Sequence, residues 1–447
     1  MTNTTIWLSQ IQFLSSVGVM AMFFAIELGL IWVLLGFKLG LHFGKSTGWR
    51  DAYRLWVRIY AIAAILALAA SIPVFLQLGS LWPQLSAVAG DIVGPLLAAA
   101  VVTTFVVKSC CSGVVLFGMQ RFTPWLHTLF VFLLAAGTFL AAFWLIALQS
   151  WMQAPAGAVL SNGYYQAVDW VAVIFNPLLS WVLFWFLATA FAATGFLLMG
   201  TSASQSLRHP SATGERLAFD SGLILTLASS CLLLLSLLGY SYAVAPYQPA
   251  KAAATAAYWD SSSPPRVVVF AWPDQTQRRN KASYQFSTGL AHQWVAHDAE
   301  GQRLGLDRLA GMHPPVAITF WSFRLAVFGS LLAIFYCLFI ARQRRRHKGQ
   351  ASLLSKRWSR RVSATSYIGW LFVVVSLVYM WLGNAPYVIG NAITQVQLLA
   401  DNAWPQLLLG ILATAAVAVV LVLGFSRLAH YFALFGVVPI TRHRGRA

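Results

Sequence analysis

The sequence predicts an all-α integral membrane protein with about nine transmembrane helices. Hydrophobic residues make up 59% of the 447 residues, charged residues only 9%, and the mean hydropathy is +0.70. A typical soluble domain carries about 25% charged residues, so this chain cannot cover a water-exposed surface of its size. The apolar stretches that reach the length of a membrane span lie at about 14–37, 55–78, 93–118, 127–149, 179–200, 218–243, 318–341, 366–388 and 405–429.

The net charge of +18 follows the connections between these spans. Lys and Arg are concentrated in alternate connections and in the C-terminal tail, and they are absent from 1–13, 79–92, 150–178 and 389–404. Basic residues favour the cytoplasmic side, so we expect the N-terminus outside and the C-terminus in the cytoplasm. Because topology explains the charge, nucleic acid is not a predicted partner. The basic residues that set this orientation are Lys38, Lys45, Arg50, Arg54, Arg58, Arg121, Arg208, Arg216, Arg342, Arg344, Arg345, Arg346, Lys348, Lys356, Arg357, Arg360, Arg361, Arg427, Arg442, Arg444 and Arg446.

The sequence predicts neither a cleaved leader nor a cysteine-based site. The first apolar stretch has no basic segment before it and is too long for a signal peptide. All four cysteines (Cys110, Cys111, Cys231 and Cys337) fall inside predicted spans, and no CxxC spacing occurs. We therefore expect no disulfide and no metal site.

One connection is much longer than the others. Residues 244–317 lie outside by the predicted topology and contain a β-like run, RVVVFAW, at 266–272. Long ordered loops in compact proteins are usually functional. The chain is therefore divided into 1–243 with helices one to six, the extracytoplasmic segment 244–317, and 318–447 with helices seven to nine and a basic cytoplasmic tail.

Three ionisable side chains lie more than a few residues inside the predicted spans: Glu27, Lys108 and Arg324. Charges at this depth are costly unless they are paired, so each is a functional candidate. Long cationic side chains can also reach the headgroup region, and both interpretations stay open for Arg324 near the start of the seventh helix. Glu27 and Lys108 lie deeper, so we expect buried partners, and a pair between them is one option.

Several motifs, in chain order, resemble subunit I of the cytochrome bd quinol oxidases. They are LSQIQF (8–13), GDIVGPLLA (90–98), WMQAP (151–155), NP (176–177), QPAKAAATAAYW (248–259), PDQ (273–275), FRLA (323–326) and GNAPYVIGN (383–391). The resemblance covers almost the whole chain. It implies that family's helical bundle, with electrons passing from quinol at the outer loop to oxygen at haem d.

The positions that hold haem in the family carry other residues here. The family has two haems b and one haem d, and its axial ligands are two His, one Met and one Glu. The matching positions are Met20, Trp185, Ala326 and Asn391. Trp and Ala offer no donor to haem iron, and Asn is a poor one. The family's functional glutamates are also replaced, by Ala100, Lys108 and Ala256. The resemblance therefore implies a divergent paralogue that lacks the family's haem ligands, with no catalytic residue and no metal site of its own.

The outer loop keeps part of the family's quinol-binding pattern. Lys251, Asp274 and Gln275 match polar positions that the family places near the quinol headgroup. Quinone is therefore a candidate ligand of this quinol-loop-like segment. Pro and Asp also stabilise turns whatever the substrate, so these motifs are equally consistent with loop folding alone.

The expected function is that of a haem-free component of a bd-type quinol:oxygen oxidoreductase complex in respiratory electron transport. It would scaffold or cover a haem-bearing subunit I-like chain that holds haem b and haem d, together with small accessory subunits, lipid and quinol. The expected location is a bacterial or archaeal cytoplasmic membrane, crossed many times. Two alternatives stay open: a catalytic subunit with unconventional haem ligands, and a small-solute or ion carrier with Glu27 and Lys108 in its path.

Overall fold

The computed structural model describes residues 3–44, 46–298, 300–309, 311–347 and 352–435. Within these residues nine helical segments are long and apolar enough to cross a membrane, which confirms the prediction of a nine-helix membrane protein. Five of the basic residues that predict the topology lie outside the described residues: Lys45, Lys348, Arg442, Arg444 and Arg446.

The chain is mainly helical and carries three short β-hairpins. The helices are α1 (Asn3–Phe43), α2 (Gly48–Ser80), α3 (Pro83–Phe117), α4 (Pro124–Gln153), α5 (Trp170–Ile174), α6 (Leu179–Gln205), α7 (Thr213–Val244), α8 (Pro249–Ala256), α9 (Val316–Arg346), α10 (Lys356–Ala364), α11 (Gly369–Leu382), α12 (Gln395–Leu398) and α13 (Trp404–Phe435). The antiparallel hairpins pair β1 (Ala158–Ser161) with β2 (Tyr164–Ala167), β3 (Val267–Asp274) with β4 (Arg279–Phe286), and β5 (Tyr387–Ile389) with β6 (Ile393–Thr394).

The β-like run at 266–272 is confirmed as most of β3. The eighth span differs from its predicted bounds of 366–388, because α11 stops at Leu382. Pro386 follows shortly after, and a proline both lacks a backbone N–H and disfavours helical backbone at the residue before it. The chain therefore leaves the helix early and forms the β5–β6 hairpin.

Consecutive spans alternate in direction, so all connections fall at two ends of the bundle. The loop end carries the three hairpins and α8, and the basic end carries α10 and the basic connections. Helix α1 is central and packs against α2, α4, α6, α11 and α13, whereas α13 is mostly exposed along its apolar length. The core is thus built around α1 and α6, and α13 lies at the edge of the bundle.

Glycine permits two close helix approaches that hold this core together. A Cβ atom on Gly29 of α1 would overlap the Thr194 side chain of α6. A Cβ atom on Gly200 of α6 would overlap Ser366, which lies just before α11. Small residues at such crossings let membrane helices gain packing contacts that lipid cannot replace.

Candidate functional site

Three of the sequence motifs meet at the loop end. The side-chain amide of Gln248, in the QPAK motif, donates two hydrogen bonds. One goes to the backbone oxygen of Gln153 in WMQAP (2.8 Å), and the other to the backbone oxygen of Gly390 in GNAPYVIGN (3.2 Å). In the same motif, Lys251 donates to the Asn384 side chain at 2.8 Å. Motifs that lie far apart in the sequence thus form a single polar junction.

The centre of this junction is Lys251, whose side chain is fully buried. Its Nζ donates to Tyr240 Oη at 2.8 Å and to Gln153 Oε1 at 3.4 Å, and it lies 4.6 Å from the ring centroid of Tyr379. Tyr240 in turn donates to Gln153 Oε1. No carboxylate among the described residues forms an ion pair with Lys251. Burial without a negative partner lowers the pKa of Lys251 well below 10.5.

Arg324 attaches the outer loop to α9. Its guanidinium donates to the backbone oxygens of Thr255 and Val268, the latter at 2.8 Å, and stacks 3.9 Å from the ring centroid of Phe320. Of the two interpretations left open, the structure therefore supports a partnered Arg324 rather than one that reaches the headgroups. Its charge satisfies carbonyl groups that helix α8 and strand β3 leave free.

A cavity of about 190 Å³ lies between α7, α8, β3 and α9. Most of its lining is apolar, with Arg324, Thr255 and Tyr379 among its polar groups, and the hydroxyls of Thr255 and Tyr379 lie 3.0 Å apart. Ala256, where the resemblance expects a glutamate, also lines it. The cavity can hold an apolar ring and offer it hydrogen bonds, and its lining supplies no carboxylate to accept a proton.

The remaining quinol-loop candidates occupy the turn between β3 and β4. Asp274 accepts hydrogen bonds from the backbone N–H groups of Thr276 (2.9 Å) and Gln277 (3.1 Å). It also pairs with Lys281 at 2.9 Å, and this bond lowers the pKa of Asp274. Gln275 is exposed at the same turn. The structure does not bring these two residues into contact with Lys251, and the bonds of Asp274 are those of a turn-stabilising aspartate.

The first two positions that correspond to haem ligands line one apolar cavity. Trp185 is 1% exposed, its indole N–H donates to Ser376 Oγ at 2.7 Å, and its ring stacks on Tyr379 with centroids 5.4 Å apart. Met20 lies in the same cavity of about 210 Å³. Its thioether can in principle bind iron, but Trp185 offers no second donor.

The other two positions do not line this cavity. Ala326 is buried in α9 and lines a separate groove of about 610 Å³ between α6, α9 and α11. Asn391 is exposed beyond β5, and its amide donates to the Tyr247 backbone oxygen at 3.0 Å. Over the described ranges, no group of three or more His, Cys, Asp or Glu side chains is placed to hold a metal ion. Of the four positions, Met20 alone carries a side chain of a type that commonly binds haem iron.

Glu27 and Lys108 form an ion pair inside the bundle. Lys108 Nζ lies 2.9 Å from Glu27 Oε1 and 3.1 Å from Oε2, between α1 and α3. Glu27 is fully buried, and the Lys108 side chain is 19% exposed. Glu27 is thus the partner of Lys108, which the sequence alone did not identify. Their pairing offsets the cost of placing each charge in the membrane.

Sequence reasoning missed most of the partners of Lys251. Gln153 and Asn384 lie inside motifs that the sequence singled out, so their polar side chains carried a signal. Tyr240 and Tyr379 lie in apolar spans, where a tyrosine is also an ordinary packing residue. Only the fold shows that these four side chains surround one ammonium group.

Replacing Lys251 with Met is expected to destabilise the protein by about 1–3 kcal/mol, because Tyr240, Asn384 and Gln153 lose a buried donor. The wild type should also gain stability relative to this variant as pH rises toward 10.5. In that window the unfolded chain holds the lysine proton that the folded chain has released. Thermal unfolding of both proteins between pH 7 and 10.5 measures both effects. Lys356→Met, at an exposed lysine at the start of α10, is the control; an equal loss or pH trend there would contradict the prediction.

Comparisons with known proteins agree over nearly the whole chain. The family model for cytochrome bd terminal oxidase subunit I matches residues 8–436. Cytochrome bd ubiquinol oxidase subunit 1 of Bacillus subtilis is 27% identical over 412 residues, which cover 88% of this chain and 86% of that protein. Cytochrome bd-II ubiquinol oxidase subunit 1 of Escherichia coli is 32% identical over 278 residues, or 61% of this chain and 54% of that protein.

The fold has a solved counterpart. The bd oxidase structure from Geobacillus thermodenitrificans superposes with a TM-score of 0.82, covering 95% of this chain and 97% of the matched chain. The two sequences are 19% identical, so this likeness establishes the shared helical architecture.

Proposed function

Because the chain belongs to the cytochrome bd terminal oxidase subunit I family, we propose that it is a haem-free component of a bd-type quinol oxidase complex. In this role it scaffolds or covers a haem-bearing subunit I-like partner, which holds haem b and haem d and carries out the electron transfer. The chain itself contributes the membrane bundle and the outer loop.

The observation that carries this proposal is the environment of Trp185. A side chain with no donor for iron stands at the position of a haem-ligating histidine, and it is packed against Tyr379 and bonded to Ser376. A bulky indole with its own hydrogen bond occupies space as a structural residue does.

A quinone headgroup is the ligand that we propose for the outer-loop cavity beside Thr255, Tyr379 and Arg324. Its largely apolar lining suits a ring. The hydroxyl oxygens of Thr255 and Tyr379 can accept hydrogen bonds from the hydroxyls of the reduced headgroup, because the Thr255 proton is already donated to the Lys251 backbone oxygen. Ala256 supplies no carboxylate to take up a proton, and no haem lies behind the site in this proposal. The chain would then hold quinone without oxidising quinol.

The proposed location is a bacterial or archaeal cytoplasmic membrane. The basic end of the bundle would face the cytoplasm and the loop end the outside, because basic connections are retained on the cytoplasmic side. The cavity beside Arg324 would then lie toward the outer surface of the membrane.

Absorption spectroscopy of the purified chain tests the proposal directly. The chain expressed without other oxidase subunits is expected to show no Soret band and no α-band. The number of haems per partner chain, measured as pyridine haemochrome, should be the same in the assembled complex as in the partner alone. One or more haems bound to the isolated chain would refute the proposal. Met20→Leu is the informative variant in that case, because loss of the spectrum would identify the Met20 thioether as a ligand.

A further inference from the structure

A polar cavity lies at the basic end of the bundle, away from every site described above. It has a volume of about 230 Å³ and lies where α6, the α10–α11 connection and α13 meet. A liquid-like water occupies about 30 Å³, so the space admits several waters or one tetrahedral anion. Its lining is formed by Thr201, Ser204, Ser363, Ser366, Tyr367, Ser426, His430 and Ala433.

The cavity is lined by hydroxyl groups with unused hydrogen-bonding capacity. Six of its eight lining residues carry a hydroxyl. Ser366 and Ser426 donate to nearby backbone oxygens, but the hydroxyls of Thr201, Ser204, Ser363 and Tyr367 form no hydrogen bond with described residues. Thr201 is only 8% exposed. Hydroxyl groups that have no partner in the protein can donate hydrogen bonds to a polar occupant of the cavity.

One cationic side chain, Arg208, lies next to the cavity, and no carboxylate of the described residues lines it. His430 lines it, and the Arg208 guanidinium lies 3.4 Å from His430 Nε2. Of the acidic residues on α7, Glu215 lies 3.7 Å from His209, and Asp220 pairs with Arg344 at 3.0 Å. His430 Nε2 accepts a hydrogen bond from the Arg208 guanidinium, which carries further N–H groups that can donate to an anion.

We propose that this cavity binds a phosphate group, supplied either by an anionic phospholipid headgroup or by free phosphate. The unpaired hydroxyls of α6, α10 and the α10–α11 connection would donate to its oxygens, and Arg208 would supply charge. Basic pockets between membrane helices at this level bind anionic headgroups in other proteins. An occupant would also add contacts between α13, which lies at the edge of the bundle, and both α6 and the start of α11.

Thermal unfolding of the full-length purified chain in detergent tests the proposal with two probes. The first is inorganic phosphate, compared with chloride at equal ionic strength. The second is a short-chain phosphatidylglycerol, compared with a maltoside of equal chain length. Stabilisation by the lipid alone assigns the site to a headgroup, and stabilisation by both probes assigns it to a small anion as well. No stabilisation by either probe would overturn the proposal.

Three variants determine whether binding occurs in this cavity. Arg208→Gln and Thr201→Val should each weaken the apparent Kd of the stabilising probe by about tenfold. Thr201→Val retains the shape and charge of the site, so it remains informative if Arg208→Gln folds poorly. Arg427→Gln removes an exposed charge from α13 that does not line the cavity, and it should leave the Kd within about twofold. An equal loss in all three variants, or no loss with Arg208→Gln and Thr201→Val, would refute the cavity as the site.

Discussion

Trp185→Ala is expected to lower the free energy of unfolding by about 3–5 kcal/mol, the cost of removing a large aromatic side chain from a packed core. Trp185 is 1% exposed, stacks on Tyr379 and meets the edge of the Tyr240 ring with centroids 5.4 Å apart. Its removal also leaves the Ser376 hydroxyl without its buried partner. Titration with a denaturing detergent, followed by far-ultraviolet circular dichroism, measures the change.

Phe184→Ala is the matched control for this experiment. Phe184 precedes Trp185 on α6 but is 44% exposed, so its truncation should cost less than about 1 kcal/mol. Equal effects of the two substitutions would mean that Trp185 is not a core residue. They would also remove the main support for the proposal that the indole has replaced a haem-ligating histidine.

The number of spans could be predicted from the sequence because the signal is local. A run of about 20 apolar residues fits the hydrocarbon thickness whatever its neighbours are. The ends of the helices were less predictable. Helix α1 spans Asn3–Phe43, although its apolar stretch covers only 14–37. Helices continue into the headgroup region as long as backbone hydrogen bonds form, and hydropathy does not record that extension.

The polar junction could be predicted only in part. Each motif indicated that its own segment matters, but Lys251 and Asn384 are separated by 133 residues, and Lys251 and Gln153 by 98. One sequence contains no information on which of its distant segments touch. The resemblance likewise grouped Asp274 with Lys251, whereas the hairpin register places Asp274 in a turn with Arg279 opposite it.

For Lys108, the sequence predicted that a buried partner exists but did not show which residue it is. The sequence identified it as a charge in an apolar helix, where the family resemblance expects a glutamate. It also identified Glu27 as the other deep charge on a different helix. The pair, with Nζ 2.9 Å from Oε1, depends on how α3 packs against α2 and α4, which both contact α1.

Lys108→Leu is expected to destabilise the protein by about 3–5 kcal/mol, because it leaves Glu27 fully buried without a counter-charge. Thermal unfolding and the yield of assembled complex from the membrane measure this loss. Ser109→Leu on the next, exposed position of α3 is the control and should be nearly neutral. An unchanged Lys108→Leu protein would mean that the ammonium is solvated at an interface and not held by Glu27.

The double variant Glu27→Leu/Lys108→Leu distinguishes a structural pair from a functional one. If the pair only fills polar space in the bundle, replacing both charges with apolar groups should restore stability to within about 1 kcal/mol of the wild type. Complex assembly and oxidase activity would then recover as well. If Glu27 and Lys108 line a path for protons or ions, stability should return while flux into proteoliposomes is lost. Because the pair is closed and Glu27 is fully buried, we expect the first outcome, in which removing both charges costs less than removing either one.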